Sequence, residues 1–298
     1  MVTKLLPLSN WWYQKEGATA SLAQAAVNLP PCLDERRSRL LAARNTPPMS
    51  GHSKWSKIKR TKGASDVKRG ALFSKLAKEI TIAAKIGGGD PGGNVRLRSA
   101  ILSARAQSMP NGNIERAIKR GTGGAEAQHF DEIVYEGYAP GGVAVLVEAA
   151  TDNKNRTAAE LRRIFTKNDG NLGTSGSVSY MFHKKGQITV PRDAIEEERL
   201  FELALEAGAE ELTTEENLYL ILTAHDQLYA VAEALKHAGV TTSGQKFTFI
   251  PDTTVPVVDE ATALQVLRLC ESLEDDDDVQ NVYSNLDIPE ELLAKLPA

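Results

Sequence analysis

Residues 51–80 read GHSKWSKIKRTKGASDVKRGALFSKLAKEI, and residues 111–124 close the same region with NGNIERAIKRGTGG. Residues 50–125 contain 16 Lys/Arg and four Asp/Glu, whereas residues 126–298 contain 13 Lys/Arg and 32 Asp/Glu. The formal net charge of −4 therefore conceals a basic region followed by an acidic one. Such segregation informs about partners more than about fold, and a basic block of this density is typical of proteins that meet phosphate.

The basic region is predicted to fold into three helices. Apolar residues at helical spacing indicate one helix from a cap at Ser65 to about residue 86 and a second over 94–108. A third helix ends at Gly121, which is a typical C-terminal cap. The turn 109–112 between the last two helices resembles a helix-turn-helix, although a short turn also closes any small bundle. The cations of the second helix that we expect to face solvent are Arg96, Arg98 and Arg105.

The candidate binding residues lie in two groups within this region. Residues 54–62 form a basic arm that can follow a phosphate backbone, and Trp55 can either stack on a base or dock on the adjacent bundle. The third helix would present its cations to a groove if it acted as a recognition helix. The candidate nucleic-acid-binding residues are Lys54, Trp55, Lys57, Lys59, Arg60, Lys62, Lys68, Arg69, Arg116, Lys119 and Arg120.

The acidic region alternates strands and helices. Residues 185–252 show the order strand, helix, strand, strand, helix, strand, which is that of the ferredoxin-like unit. Residues 128–182 supply two strands, a helix and a third strand at 178–182, while a further helix and strand follow residue 252. The sequence therefore predicts an α+β fold in which an N-terminal three-helix domain precedes two ferredoxin-like α+β domains, one inserted in the other. The predicted divisions are a leader at 1–48, a basic helical domain at 49–126, a discontinuous domain at 127–184 plus 253–298, and an inserted domain at 185–252.

A run of five acidic residues occupies positions 274–278. We interpret it as a solvated loop that repels nucleic acid, so the acidic region is expected to face away from phosphate. A contact with a basic partner or a metal is the alternative, although adjacent carboxylates lack the alternating ligand spacing of a calcium loop. The glycine-rich stretches 87–93 and 170–176 lack the strand-glycine-helix order of nucleotide-binding loops and are interpreted as connectors.

The sequence contains no motif of an enzyme. A nucleophile elbow, a Cys-His pair and a Walker motif are missing, so we expect no enzymatic activity, no cofactor and no metal. Two cysteines, Cys32 and Cys270, favour a reducing compartment without a structural disulfide. Residues 36–44 are basic and faintly amphipathic, as in a transit peptide, but the leader also contains acids. We therefore expect a cytoplasmic protein with a non-essential or disordered leader, and organellar targeting is the alternative.

Several long motifs closely resemble the YebC family, and the likeness spans about residues 50–290. The motifs are SGHSKWSKIKRTKGASDVKRGALFSKLAKEI (50–80), GGGDPGGN (87–94), MPNGNIERAIKRGTGG (109–124), VYEGYAPGGVAVLVEAATDNKNRT (134–157) and GTSGSVSYMF (173–182). The resemblance implies a helical domain followed by two α+β domains, one inserted in the other. It also implies a cytoplasmic DNA-binding regulator of transcription, without any assigned active-site residue.

The family also contains a rival role. One organellar member is a mitochondrial translational activator, and other members resemble factors that act on stalled ribosomes. The first hypothesis is therefore binding of DNA, or of ribosomal RNA, through the basic helical domain. The alternatives are a ribosome-associated translation factor and a protein-interaction scaffold that makes no nucleic-acid contact. An enzyme, or a pair of ferredoxin-like domains that senses a small molecule, is a third alternative.

Overall fold

The computed structural model describes residues 66–123 and 129–293 of the chain. Its first elements are three helices, α1 (Asp66–Gly87), α2 (Val95–Ala106) and α3 (Asn111–Thr122). Apolar side chains from all three helices meet in one core that includes Ile80 and Leu97. Asn94 caps α2 by accepting a hydrogen bond from the Leu97 amide at 3.1 Å, which satisfies one of the free donors at the helix start. The predicted helical domain is therefore present at the start of the described chain.

The body that follows residue 128 mixes strands and helices, as predicted. Its elements are β1 (Asp131–Tyr138), β2 (Ala144–Thr151), α4 (Lys154–Lys167), β3 (Asn171–Leu172), β4 (Phe182–Pro191), α5 (Glu197–Ala207), β5 (Glu211–Thr214), β6 (Leu218–Ala224), α6 (Leu228–His237), β7 (Gly244–Pro251), β8 (Val255–Pro256), α7 (Glu260–Glu274), β9 (Val279–Ser284), β10 (Leu286–Asp287) and α8 (Glu290–Leu293).

The outer sheet has the antiparallel order β3-β1-β2-β9. The hairpin β1–β2 forms its centre, and Gly141 and Gly142 allow the tight connection because both adopt positive φ. Side chains of β2 are buried on both faces of the sheet. Val145 and Val147 pack with apolar residues of α4 and α7, whereas Leu146 belongs to a second cluster on the opposite face. This double burial explains why β2 is an almost continuous apolar run.

The second sheet has the antiparallel order β5-β6-β4-β7 and belongs to a unit with the element order β4-α5-β5-β6-α6-β7. This is the strand-helix-strand-strand-helix-strand order that the sequence predicted for the ferredoxin-like unit. Ile188, Ile221 and Leu235 are fully buried in its core between the sheet and the two helices. The unit interrupts the outer sheet, since β9 returns to pair with β2 only after β7. The α+β class and the order of helices and sheets are confirmed.

The prediction of a strand at 178–182 was wrong. This segment contains a 3-10 turn at Ser179–Met181, and its last residue begins β4 of the other sheet. The reason is the Glu136 carboxylate, which accepts backbone hydrogen bonds from Gly176 at 2.8 Å and Val178 at 2.7 Å. Amides that are bonded to a side chain cannot join a strand ladder. The short strand β3 takes the edge position instead.

Candidate nucleic-acid interface

Helix α3 is held tightly against α1. The hydroxyl of Thr81 on α1 donates a hydrogen bond to the Ala117 carbonyl oxygen at 3.1 Å. Gly121 lies at a close approach of the two helices, since a Cβ there would collide with the Thr81 carbonyl oxygen and stand 2.9 Å from the Ala84 Cβ. The sequence assigned Gly121 to a helix cap, but the structure uses its small size for packing. This packing fixes which face of α3 points outward.

The outward face of α3 carries three of the predicted binding residues. Arg116, Lys119 and Arg120 are all exposed. Arg116 is held along its own helix, because its Nε donates to the Gly112 carbonyl oxygen at 3.0 Å and its Nη2 donates to the Asn113 side chain. Lys119 and Arg120 make no ion pair within residues 66–123 and 129–293. These side chains therefore form a cationic surface that is open to an anion.

The other predicted binding residues lie either at the start of α1 or in the basic arm. Lys68 and Arg69 lie in the first turns of α1, and the Arg69 side chain is exposed. The basic arm lies outside the residues that the structure describes. Its members among the predicted binding residues are Lys54, Trp55, Lys57, Lys59, Arg60 and Lys62.

Two lysines of α1 point into the body instead of toward solvent. Lys78 Nζ donates to the Asp278 carboxylate at 2.8 Å and to the Asp277 carbonyl oxygen at 2.7 Å. Lys75 Nζ donates to the carbonyl oxygen of Glu274. The acidic run therefore packs against α1, and the prediction that it forms a solvated loop was wrong for Asp278, which is buried.

Asp278 is the centre of this contact. Its Oδ2 accepts hydrogen bonds from Arg156 Nη2 at 2.7 Å, Thr157 Oγ1 at 2.8 Å and Thr151 Oγ1 at 3.2 Å. Burial by itself would raise the pKa of this carboxyl, but the hydrogen bonds from Arg156, Lys78 and Thr157 outweigh it and lower the pKa to about 2. A buried carboxylate with this many donors is a structural junction between the bundle, α4 and the loop before β9.

Two arginines of α2 are likewise engaged with the body. Arg96 donates to Glu79 at 2.9 Å and to Glu132 at 2.6 Å, so it joins α1, α2 and β1. Burial would lower its pKa, but the hydrogen bonds with Glu132 and Glu79 raise it. Arg98 lies 3.7 Å from Glu233 on α6. The expectation that these two side chains face solvent freely was therefore wrong, and among the three predicted for α2 only Arg105 is exposed.

A cleft of about 1050 Å³ separates the bundle from the body beside α3. Arg116 and Arg120 line it from α3, and Phe73 lines it from α1. On the body side, the lining includes Phe130, about two turns of α4, and the acidic loop. The charged body residues of the lining are Asp152, Arg156, Glu160, Arg163, Asp276, Asp277 and Asp278.

Most charges on the body side of the cleft are already compensated. Arg156 bonds Asp152 at 2.8 Å as well as Asp278, and Arg163 pairs with Glu160 one turn away. The cleft therefore presents its uncompensated positive charge mainly from α3. Sequence reasoning missed this wall because it assigned the whole body to the side away from phosphate. The available signal was the spacing of Arg156, Glu160 and Arg163, which places all three on one helix face.

No helix within 66–123 and 129–293 is long and apolar enough to cross a membrane. The same residues contain no group of three or more His, Cys, Asp or Glu side chains arranged to hold a metal ion.

Family models match both halves of the chain. The model described as the TACO1/YebC protein N-terminal domain matches residues 53–124. The model described as the TACO1/YebC second and third domain matches residues 130–286. The division between the two matches coincides with the change from the helical bundle to the mixed body.

Curated relatives match over nearly their whole length. A probable transcriptional regulatory protein of Desulfotalea psychrophila is 56% identical over 248 residues, covering 83% of this chain and 99% of the relative. A probable transcriptional regulatory protein of Geobacter sulfurreducens is 55% identical, covering 83% of this chain and 100% of the relative. A crystal structure of a conserved hypothetical protein from Aquifex aeolicus superimposes with a TM-score of 0.71 at 51% identity, covering 76% of this chain and 94% of that one.

Proposed function

This chain belongs to the TACO1/YebC family, and we propose that it is a regulatory protein that binds nucleic acid through its basic helical domain. The names of its relatives support a role in transcription, since those relatives are described as probable transcriptional regulatory proteins. In this proposal the protein contacts the phosphate backbone, carries no cofactor and catalyses no reaction. Duplex DNA is the first candidate target.

The single observation that carries the proposal is the exposed cationic face of α3. The cations of α1 and α2 that touch the body are occupied by carboxylates or carbonyl oxygens, whereas Lys119 and Arg120 have no such partner in the described chain. When exposed Lys and Arg side chains neutralise phosphates, counterions that were condensed on the nucleic acid are released. This release favours binding whatever the base sequence. Among the described residues, the proposed phosphate-binding surface is therefore narrower than the charge count of the region implied, and it centres on α3.

The proposal is tested by salt-dependent binding of the full chain to a labelled DNA duplex. Five to seven phosphate contacts predict that log K falls with log salt at a slope of roughly −4 to −6, since each contact contributes about −0.9. Lys119→Gln should make the slope shallower by about 0.9 for every duplex sequence. Lys236→Gln, which removes an exposed cation of α6, is the matched control and should leave the slope unchanged. A slope near zero would refute phosphate binding and favour a scaffold that acts through protein contacts.

The position of α3 beside the cleft favours a second candidate target. The wall of α4 stands near Arg116 and Arg120, so α3 does not project freely as a helix entering a major groove would. Ribosomal RNA, with its single-stranded loops, suits a surface of this shape, and the role would then be that of a ribosome-associated translation factor. Crosslinking in cells followed by sequencing of the bound nucleic acid separates the two targets.

A further inference from the structure

The cleft between α3 and α4 is lined by cationic, aromatic and acidic side chains that lie close together. Its bundle side contributes guanidinium groups, its lining includes two phenylalanine rings, and its body side ends in exposed carboxylate. A volume of about 1050 Å³ is at the upper end of the range typical of small-ligand pockets. The cleft is therefore large enough for one or a few monomer-sized groups.

The cationic side of the cleft suits phosphate. Arg116 and Arg120 are one helical turn apart on α3, and both line the cleft. The bonds of Arg116 to the Gly112 carbonyl oxygen and to Asn113 fix its guanidinium in place, while Arg120 makes no ion pair within the described residues. Two neighbouring guanidinium forks match the geometry of phosphate oxygens.

The aromatic lining suits a base. Phe73 and Phe130 are partly exposed and border the same cleft, and Lys78 Nζ lies 5.6 Å from the centre of the Phe130 ring. Unpaired bases stack on such rings with little regard to sequence. A base in a duplex cannot do so unless it is first unstacked and unpaired, which costs free energy.

The acidic side of the cleft is compatible with this arrangement. Asp278, Glu160 and Asp152 are bonded to cations, so they add little uncompensated negative charge. Asp276 also lines the cleft, and its Oδ1 accepts a hydrogen bond from the Asp278 amide at 2.8 Å. The exposed carboxylate of Asp277 has no hydrogen-bond partner among the described residues. A carboxylate accepts hydrogen bonds from the exocyclic amino group of cytosine, which thymine lacks.

We propose that this cleft binds unpaired nucleotides of a single-stranded nucleic acid. Arg116 and Arg120 hold the phosphates, a base stacks on the aromatic lining, and Asp277 accepts a hydrogen bond from the base amino group. The inference rests on the proposed nucleic-acid-binding function and specifies its ligand as a single strand. The body, which carries most of the acidic residues, then takes part in selecting the base while α3 supplies the affinity.

Fluorescence anisotropy of the full chain with labelled oligonucleotides tests the inference. The probes are single-stranded deoxycytidine and deoxythymidine decamers and a mixed-sequence duplex of the same length. We expect both single strands to bind more tightly than the duplex, and the deoxycytidine strand to bind more tightly than the deoxythymidine strand. Arg120→Gln should weaken single-strand binding about tenfold, as expected for loss of a charge-assisted hydrogen bond.

Matched variants separate the cleft from a general effect of charge. Lys119→Gln removes a cation from the same helix but outside the cleft lining, and Arg105→Gln removes an exposed cation of α2. Lys119→Gln should weaken single-strand and duplex binding by the same factor, that of one lost phosphate contact, and Arg105→Gln should weaken both less. Neither variant should cost single-strand binding as much as Arg120→Gln does. Asp277→Ala should abolish the preference for cytosine over thymine, a change that a purely structural role would not produce.

Each result decides between the inferences. Equal losses from Arg120→Gln and Lys119→Gln, or tighter binding of the duplex, would overturn the single-strand inference while leaving nucleic-acid binding intact. Failure of every oligonucleotide to bind would overturn the proposed function as well. If cytidine monophosphate displaces the decamer when both are present at similar concentrations, the cleft binds free nucleotides. That result would also overturn the inference.

Discussion

Replacing Asp278 with asparagine tests the junction between the helical bundle and the body. The substitution keeps the shape of the side chain but removes the charge that Lys78 and Arg156 neutralise. A carboxyl pKa of about 2 in the folded chain, against an ordinary 3.8, corresponds to about 2 kcal/mol of stability at neutral pH. Asp278→Asn should therefore lower the free energy of unfolding at pH 7 by about 2–3 kcal/mol, because Lys78 is also left without its counter-charge.

The pH dependence gives this prediction its direction. A carboxyl whose pKa is lowered by folding stabilises the protein fully above its unfolded pKa, and the stabilisation is lost as pH falls toward 2. The difference in unfolding free energy between the wild-type chain and Asp278→Asn should shrink by roughly half between pH 7 and pH 3. This difference is measured at both pH values by urea denaturation, with circular dichroism reporting the unfolding.

Asp275→Asn supplies the control for this experiment. Asp275 belongs to the same acidic run but is exposed, and its substitution should change the unfolding free energy by less than about 0.5 kcal/mol. If both variants lose the same stability, or if the loss from Asp278→Asn does not depend on pH, then the buried ion pairs do not hold the bundle against the body.

Three further substitutions probe the packing that positions the interface. Gly121→Ala should lower the melting temperature, because its Cβ collides with the Thr81 carbonyl and overpacking costs about 1–3 kcal/mol, whereas Gly70→Ala, which meets no atom within 4 Å, should raise it slightly. Glu136→Gln should lower the free energy of unfolding by about 1–3 kcal/mol at pH 7, as measured by urea denaturation. Burial would raise the pKa of the Glu136 carboxyl, but its backbone hydrogen bonds lower it, so the loss should become smaller as acid protonates the wild-type side chain. A loss that is the same at every pH would contradict the ionic role. Phe165→Ala should destabilise the outer sheet by about 3–5 kcal/mol in the same assay, since the ring is fully buried, and a loss below 1 kcal/mol would contradict that burial.

Element order was predictable wherever a periodic apolar pattern decided the structure locally. The stripe of α1 and the alternation within the inserted unit both occur close to their predicted places, and the first two strands predicted within 128–182 are present as β1 and β2. The segment 178–182 was misassigned because its apolar alternation resembles a strand. Its amides are instead bonded by Glu136, which lies 40 or more residues earlier in the chain, and no local pattern reveals such a partner.

The candidate site was predictable only in part, for a similar reason. Counting charges located the basic helices, and the exposed cations of α3 were among the residues selected. Counting could not distinguish Lys119, which is exposed, from Lys78, whose charge is neutralised by Asp278 from 200 residues away. The cleft escaped prediction because its two walls come from the bundle and from α4.

The sequence by itself determined the α+β class, the helical start, and the segregation of positive from negative charge, because propensity, periodicity and composition are properties of neighbouring residues. Only the tertiary structure decided which charges remain open to a partner. In the sequence, positive and negative residues occupy separate regions. Folding brings Asp278 to Lys78 and Glu132 to Arg96, and each such ion pair leaves one cation fewer on the surface that can bind phosphate.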